Sequence, residues 1–338
     1  MGGSAFKLET HGFTTSRMSK DQYDVLSRYI VTLLKLYFRT VEVPPEAPGK
    51  RTFGDVDVMV CRPIDVHPHD AILQICSRAL GKRCKGFIYA LPTTNIAISL
   101  EDVIVQVDVH VVPSEEQWSV DYWMHSWGDM GMIISSMIKP WGLRLSASRG
   151  LWVNVHGLGM FVLSLDMERI ASFLGLDWSK FNRGFKSTDE LFEWMTEVSI
   201  NGQQIGVKRN GKLEKAHQSR PMWAAYWERG EHGEYDPSEE EKRAVFRKAL
   251  DYFNKRQDFE DTMAKLEREC IAREKFNGHR VAEWTGLRGK RLGLLMKVLR
   301  GDERLMLKNV INLCDEDIKG IVLESWRGSQ LQHDIIYG

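Results

Sequence analysis

The chain carries no C-x-x-C pair. Its five cysteines (Cys61, Cys76, Cys84, Cys270 and Cys314) are odd in number and scattered. That argues against a disulfide framework and a cysteine-rich zinc site, and leads us to expect a reducing intracellular compartment, cytoplasm or nucleus. Net charge is lacking too: 46 Lys plus Arg stand against 46 Asp plus Glu. Overall charge therefore names no partner, and a nucleic-acid footprint has to be a local patch. No apolar run is long enough to span a bilayer, so no membrane partner is expected. The opening MGGSAFKLETHGFTTSR has no apolar stretch suited to a secretory signal, and its Met-Gly-Gly-Ser start carries no weight as a lipidation signal. Repeats and low-complexity segments are absent. The 338 residues, 43% hydrophobic and 27% charged, are enough for two domains of an ordinary globular protein.

Apolar spacing predicts a helix over Ser19–Phe38 behind a serine cap. TVEVPPEAPGK follows, a proline-rich connection expected to be irregular. Phe53–Val60 reads as a strand and His69–Leu80 as a helix. Gly86–Ala90, Thr94–Leu100 and Val103–Val112 read as three further strands. Gln117–Met137 reads as helical, GLRLSASRGLWVN as a hairpin, and MERIASFLGLDW as a short helix ending in glycine. Strands first paired and then crossed by helices predict an α+β sheet domain reaching the 190s. Composition shifts after Ile200. NGQQIGVKRNGKLEKAHQ reads as a polar linker or exposed hairpin, and Pro237–Glu274 as strongly helical with mixed-sign charges at helical spacing. Two domains are expected, at 20–198 and 215–335, the second helical.

The segment GDVDVMV, Gly54–Val60, sets two acids among valines. Side chains alternate across a strand, so Asp55, Asp57 and Met59 face one way and Val56, Val58 and Val60 the other, with the carboxylates about 6–7 Å apart. Val103–Val111 repeats the design: its valines form one face, while Ile104, Gln106, Asp108 and His110 form the other. If the strands are neighbours, Asp108 joins Asp55 and Asp57. Clustered carboxylates raise one another's pKa unless a cation neutralises them. Mg²⁺ is the natural occupant, and two such ions about 3.5–4 Å apart clamp the attacking and leaving oxygens of a phosphoryl displacement. Gly54 permits close approach at the strand start. His110 shares Asp108's face and reads as a polar sheet residue.

GDVDVMV followed by VQVDVHVVP resembles the catalytic signature of the DNA polymerase β nucleotidyltransferase superfamily, and more narrowly of family X polymerases. YWMHSWGDM, from Tyr122, resembles the aromatic nucleotide-pocket segment, and DMERIASFLGLDW the family's late helix. The resemblance covers roughly residues 20–195. It implies a polymerase β-type palm, an α+β fold with a mixed or antiparallel sheet. It also implies that Asp55, Asp57 and Asp108 ligate two Mg²⁺ ions (Mn²⁺ also suits), and that Asp108 serves the attacking 3′-hydroxyl. Tyr122 and Trp123 would flank the sugar of an incoming NTP, with Ser126 nearby.

The chain also departs from that pattern. The family's Gly-Ser pair ahead of the first strand is replaced by Pro44-Pro45, so the triphosphate is expected to use Lys50, Arg51 or Arg39 together with the backbone near Gly54. The pocket glycine is His125. The family's base- and template-contacting positions fall at Met130 or Gly131 and at Ile134 or Ser135, so templating is not expected. Nor is there room before residue 20 for the family's N-terminal DNA-binding domains.

FNGHRVAEWTGLRGKRLGLLMKVLR, Phe276–Arg300, reads as helix, glycine-rich turn and helix. It is similar to a segment of CCA-adding enzymes and bacterial poly(A) polymerases, with His279 in place of an acid. Arg280, Arg288, Lys290 and Arg291, with Lys297 and Arg300, face a lone Glu283, making this the most basic patch and the expected nucleic-acid contact. Trp223 and Trp227 read as helix–core contacts, and Asp315–Asp317 as an acidic helix start. The expected activity is Mg²⁺-dependent, ATP- or other NTP-consuming nucleotidyl transfer to a nucleic-acid 3′-hydroxyl, template-independent and with RNA favoured. The alternatives are transfer to a small molecule or protein, and a degenerate nucleotidyltransferase fold that only binds.

Overall fold

A computed structural model describes residues 3–65, 67–200, 202–205, 220–229 and 236–328. The chain divides into two compact units: residues through Val155 together with Met160–Lys255, and His156–Gly159 together with the chain from Arg256 on. The first is α+β with a mixed sheet; the described elements of the second are helical.

In the first unit a single turn α1 (Leu8–His11) precedes α2 (Lys20–Leu34). Ser19 and Gln22 close a capping box at the start of α2, satisfying backbone donors that the helix leaves open. Then come β1 (Phe38–Glu42), β2 (Asp55–Pro63) and α3 (Pro68–Gln74), which runs on as a π-helical turn over Ile75–Leu80. β3 (Cys84–Tyr89), β4 (Thr93–Leu100) and β5 (Val103–Val111) complete a sheet ordered β1-β2-β5-β4-β3. β2 and β5 run parallel, and every other pair is antiparallel. The register sets Val56 beside Val107, Asp57 beside Asp108 and Val58 beside Val109. Those valines, with Val60 and Val105, bury one face against Leu26, Ile30 and Leu34 of α2 and Ala71 and Ile72 of α3. Each fully buried valine stabilises by about 1.5–3 kcal/mol, so the alternation is locked in one phase. The acids must then emerge on the opposite face.

That face is partly covered by α4 (Glu115–His125), whose Trp118 and Tyr122 pack with Met59, Cys61 and Val112. α5 (Met130–Ile138), a three-stranded sheet of β6 (Leu143–Ser146), β7 (Gly150–Val155) and β8 (Gly159–Ser164), and α6 (Met167–Phe173), α7 (Trp178–Arg183) and α8 (Thr188–Thr196) follow.

Four differences from the sequence expectations have physical causes. Thr40–Glu42, assigned to an irregular connection, belong to β1, because the outer edge of β2 needs hydrogen-bond partners and only the prolines beyond are unfit to supply them. The single helix expected over Gln117–Met137 breaks at Trp127 and Gly128, both with positive φ (58° and 69°), where the Trp127 amide donates to the Pro45 carbonyl at 2.6 Å. The charged helix expected over Pro237–Glu274 is two, Glu239–Tyr252 and Arg256–Lys275, parted at Asn254, whose φ is 56°. The division between units falls after Lys255 rather than between 198 and 215. Helices Pro221–Glu228 and Glu239–Tyr252 belong with the first unit, Tyr226 set edge-on to Phe192 at 5.2 Å and Phe253 against Phe173 at 5.2 Å. Of the expected polar linker, residues 201 and 206–218 lie outside the described residues.

In the second unit, Arg256–Lys275, Gly278–Thr285, Gly289–Leu299, Leu307–Val310 and Asp315–Gly328 enclose Ala272, Val281, Leu295, Leu299, Val310, Ile318 and Val322. Asn277 caps Gly278–Thr285 by accepting from the His279 and Arg280 amides, and Gly286 ends it at φ 72°. No described helix is long and apolar enough to cross a membrane.

Ile30, 1% exposed, joins α2 to the valine face, whereas Leu36 is 68% exposed. Denaturant unfolding should show Ile30→Ala losing about 2–5 kcal/mol and Leu36→Ala changing stability by under about 0.5 kcal/mol.

Candidate active site

The parallel pairing of β2 and β5 brings Asp57 and Asp108 abreast, with Asp55 one pleat away. One carboxylate oxygen from each of the three lies within 4.8 Å of the others. Asp108 is held from both sides. Asn95, its cross-strand partner on β4, donates to Oδ1 at 2.7 Å, and Gln106 donates to the same oxygen at 2.8 Å. Gln106 is oriented in turn by the Ala5 amide, which donates to its Oε1 at 3.0 Å. Asp55 is buried and accepts from the Gly3 amide at 2.8 Å.

Asp57 opens to solvent at the floor of a cleft, while protein crowds its other sides. That crowding is the main cause, followed by repulsion from Asp55 and Asp108 and then Glu46, that pushes its carboxyl from the ordinary 3.8 up to about 7. Burial pushes Asp108 upward as well, opposed by the Asn95 hydrogen bond and reinforced by Asp55. Three oxygen donors in this arrangement could hold a hard divalent cation, and their chemistry suits Mg²⁺ or Mn²⁺.

The cleft, about 450 Å³, is lined by Pro44, Glu46, Lys50, Asp55, Asp57, Met124, His125, Gly128, Asp129, Met132, Ala147 and Arg220. Its cations are already partnered: Lys50 Nζ lies 2.6 Å from Glu46, and Arg220 2.7 Å from Asp129. Burial works against protonation of His125, but hydrogen bonds to Asp121 outweigh it and raise the imidazole's pKa.

No protein-family model matches the chain, and no curated protein matches it significantly. The site therefore has to be judged on its own geometry.

Of the residues singled out from sequence, Asp55, Asp57 and Asp108 come together, and Asp55, Asp57 and Lys50 line the cleft. Arg51 and Arg39 are exposed and do not line it. Gly54 is buried at the start of β2, so closely approached that a Cβ on Gly3 would lie 2.1 Å from its carbonyl oxygen. Tyr122, Trp123 and Ser126 are not in the cleft. Tyr122 stacks on Trp118 at 6.1 Å, Trp123 is buried beside Phe181 at 6.4 Å, and the buried Ser126 Oγ donates to the Tyr122 carbonyl at 2.7 Å. The α4 residues that do line the cleft are Met124 and His125. Glu46, Asp129 and Arg220 were not singled out from sequence. Only the proline-rich segment around Glu46 carried a local signal, as the replacement for the expected glycine-serine pair.

In the second unit, Arg280 is engaged twice, by a two-pronged pair with Asp315 and by stacking 5.4 Å over Trp284. It braces the start of Asp315–Gly328. Arg288, Lys290 and Arg291 are exposed around the start of Gly289–Leu299, with no acidic partner among the described residues.

Because the folded chain holds the Asp57 proton up to about 7 and the unfolded chain releases it near the ordinary 3.8, stability falls as pH rises through that window. In chelator, Asp57→Asn should therefore melt above wild type at pH 8, with the gap closing as pH drops toward 4. Thermal melts by circular dichroism across that range are the check, and a constant gap would contradict it.

Proposed function

We propose that the chain is a Mg²⁺- or Mn²⁺-dependent nucleotidyltransferase with a polymerase β-type palm. It moves a nucleoside monophosphate from an NTP to the 3′-hydroxyl of a nucleic acid, RNA in preference to duplex DNA, without a template and with release of pyrophosphate. The observation that carries this reading is the in-register pair Asp57–Asp108 on parallel strands, with Asp55 beside it, where Asp55 and Asp57 line a cleft that also holds Lys50 and Arg220.

Asp55, Asp57 and Asp108 would hold the ions, which when bound supply charge neutralisation on the phosphates and on the reacting oxygens. The chain's own groups do the positioning. Both amide donors on Asp108 go to Oδ1, so Oδ2 is the oxygen turned to a cation or to the acceptor hydroxyl's proton. Lys50 and Arg220 exchange Glu46 and Asp129 for phosphate oxygens. The cleft sets four carboxylates, Glu46, Asp55, Asp57 and Asp129, against three basic groups, Lys50, His125 and Arg220. A triphosphate is repelled by that balance unless divalent cations enter with it, which couples nucleotide binding to metal binding. The acceptor is assigned to the exposed Arg288, Lys290 and Arg291, charges suited to a phosphate backbone.

The test is incorporation of each NTP and dNTP into single-stranded RNA, tRNA and DNA. Asp55→Asn and Asp108→Asn should each lower the rate at least about a thousandfold, roughly 4 kcal/mol of barrier, with far-ultraviolet circular dichroism unchanged. A rate within tenfold of wild type in either variant sinks the assignment.

A second measurement addresses the acceptor. Combined Arg288→Glu, Lys290→Glu and Arg291→Glu should weaken RNA binding and flatten the log–log salt dependence by about 2, the value for three lost single-strand phosphate contacts. Unaltered turnover in that variant would favour a small-molecule or protein acceptor.

A further inference from the structure

Beside the three carboxylates stands a second group of side chains of metal-ligating type, of which that chemistry draws only on the charge of His125. His110 lies on β5 two residues beyond Asp108, and Asp121 and His125 lie one turn apart on α4. His110 Nε2 is 3.2 Å from Asp121 Oδ2, and its Nδ1 is hydrogen-bonded to Thr93 Oγ1 at 2.9 Å. His125 Nδ1 donates to the Asp121 carbonyl oxygen at 2.8 Å, which leaves the lone pair on Nε2. The two imidazole centroids are 4.7 Å apart. Asp121 is 2% exposed, and its Oδ1, 3.4 Å from His125 Nδ1, has no hydrogen-bond partner among the described residues. A buried carboxylate oxygen without a hydrogen bond is one that a bound cation would satisfy.

We propose that His110, Asp121 and His125 form a transition-metal site of the Zn²⁺ class, with three protein ligands and an exchangeable position toward the cleft.

Two imidazoles with one carboxylate suit Zn²⁺, Co²⁺ or Ni²⁺, whereas the all-oxygen triad suits Mg²⁺, so the two sets sort different ions. The 3.2 Å between His110 Nε2 and Asp121 Oδ2 is close to the tetrahedral edge of about 3.3 Å that bonds of about 2.0–2.1 Å require. One donor atom from each residue already lies within 4.8 Å of the others. His125 brings its Nε2 to the site by side-chain rotation, its side chain being the most exposed of the three at 33% against 13% and 3%. The Thr93 hydroxyl can donate to His110 Nδ1 or accept from it, so the tautomer change that frees Nε2 for a metal costs no hydrogen bond. His125 borders the cleft, which puts the open position on that side. The ion would tie α4 to β5 directly beside the catalytic face. This inference does not depend on nucleotidyl transfer.

The experiment is Co²⁺ titration of the full chain with Mg²⁺ in excess, read by visible ligand-field absorption and by metal content after desalting. Wild type should bind one equivalent with a tetrahedral-type band that Zn²⁺ abolishes. Asp57→Asn should keep the band, His110→Ala and His125→Ala should lose it, and Thr93→Ala should weaken Co²⁺ binding about 10–100-fold. His125→Ala, at the most exposed ligand, keeps the test valid if His110→Ala fails to fold. Three results overturn the proposal: no band in folded wild type, a band that survives His125→Ala, or a band that Asp57→Asn removes. Absent NTP incorporation by wild type would count against the proposed activity and leave this site untouched.

Discussion

Burial of three clustered carboxylates, Asp55, Asp57 and Asp108, is the constraint around which the first unit is organised. Parallel pairing of β2 and β5 sets the two acids abreast, and Asp55 adds a third charge. Left alone, such a cluster destabilises the folded chain: burial first, and then the neighbouring charge of Asp55, push the carboxyls of Asp57 and Asp108 up. The fold tolerates it because the opposite face of both strands is an unbroken row of valines packed on α2 and α3. Slipping either strand by one residue would relieve the repulsion but turn those valines to water. Hydrophobic burial therefore enforces an electrostatic arrangement that the acids would not adopt by themselves.

The supporting contacts have the same character. Asn95 and Gln106 fix one oxygen of Asp108, the Ala5 amide fixes Gln106, and the Gly3 amide fixes Asp55. These donors come from β4, from β5 itself and from the chain ahead of α1. The acids are thus oriented by the protein's own donors.

What was legible in the sequence was local. The acids alternate with valines at period two, and that alternation specifies strand and face without reference to the rest of the chain, whereas the pairing of β2 with β5 is given by the fold. The helical C-terminal region was legible for a similar reason, since Asn277 and Gly286 mark both ends of Gly278–Thr285. The cleft walls were not. Trp127 takes a positive φ where its amide meets the Pro45 carbonyl, and nothing near Trp127 in sequence announces that contact. Arg220 reaches Asp129 from a distant segment, and Tyr226 ties its helix to Phe192. The aromatic pair Tyr122–Trp123 misled, because the same composition serves a pocket or a core, and Trp123 here is fully buried.

The pairing of Lys50 with Glu46 and of Arg220 with Asp129 makes the cleft an ion exchanger rather than a bare positive pocket. An incoming anion has to displace two internal carboxylates, so only the difference between two sets of ion pairs favours binding. A singly charged anion gains almost nothing from such an exchange. A polyanion that reaches both cations at once and carries its own divalent counterions would gain at each.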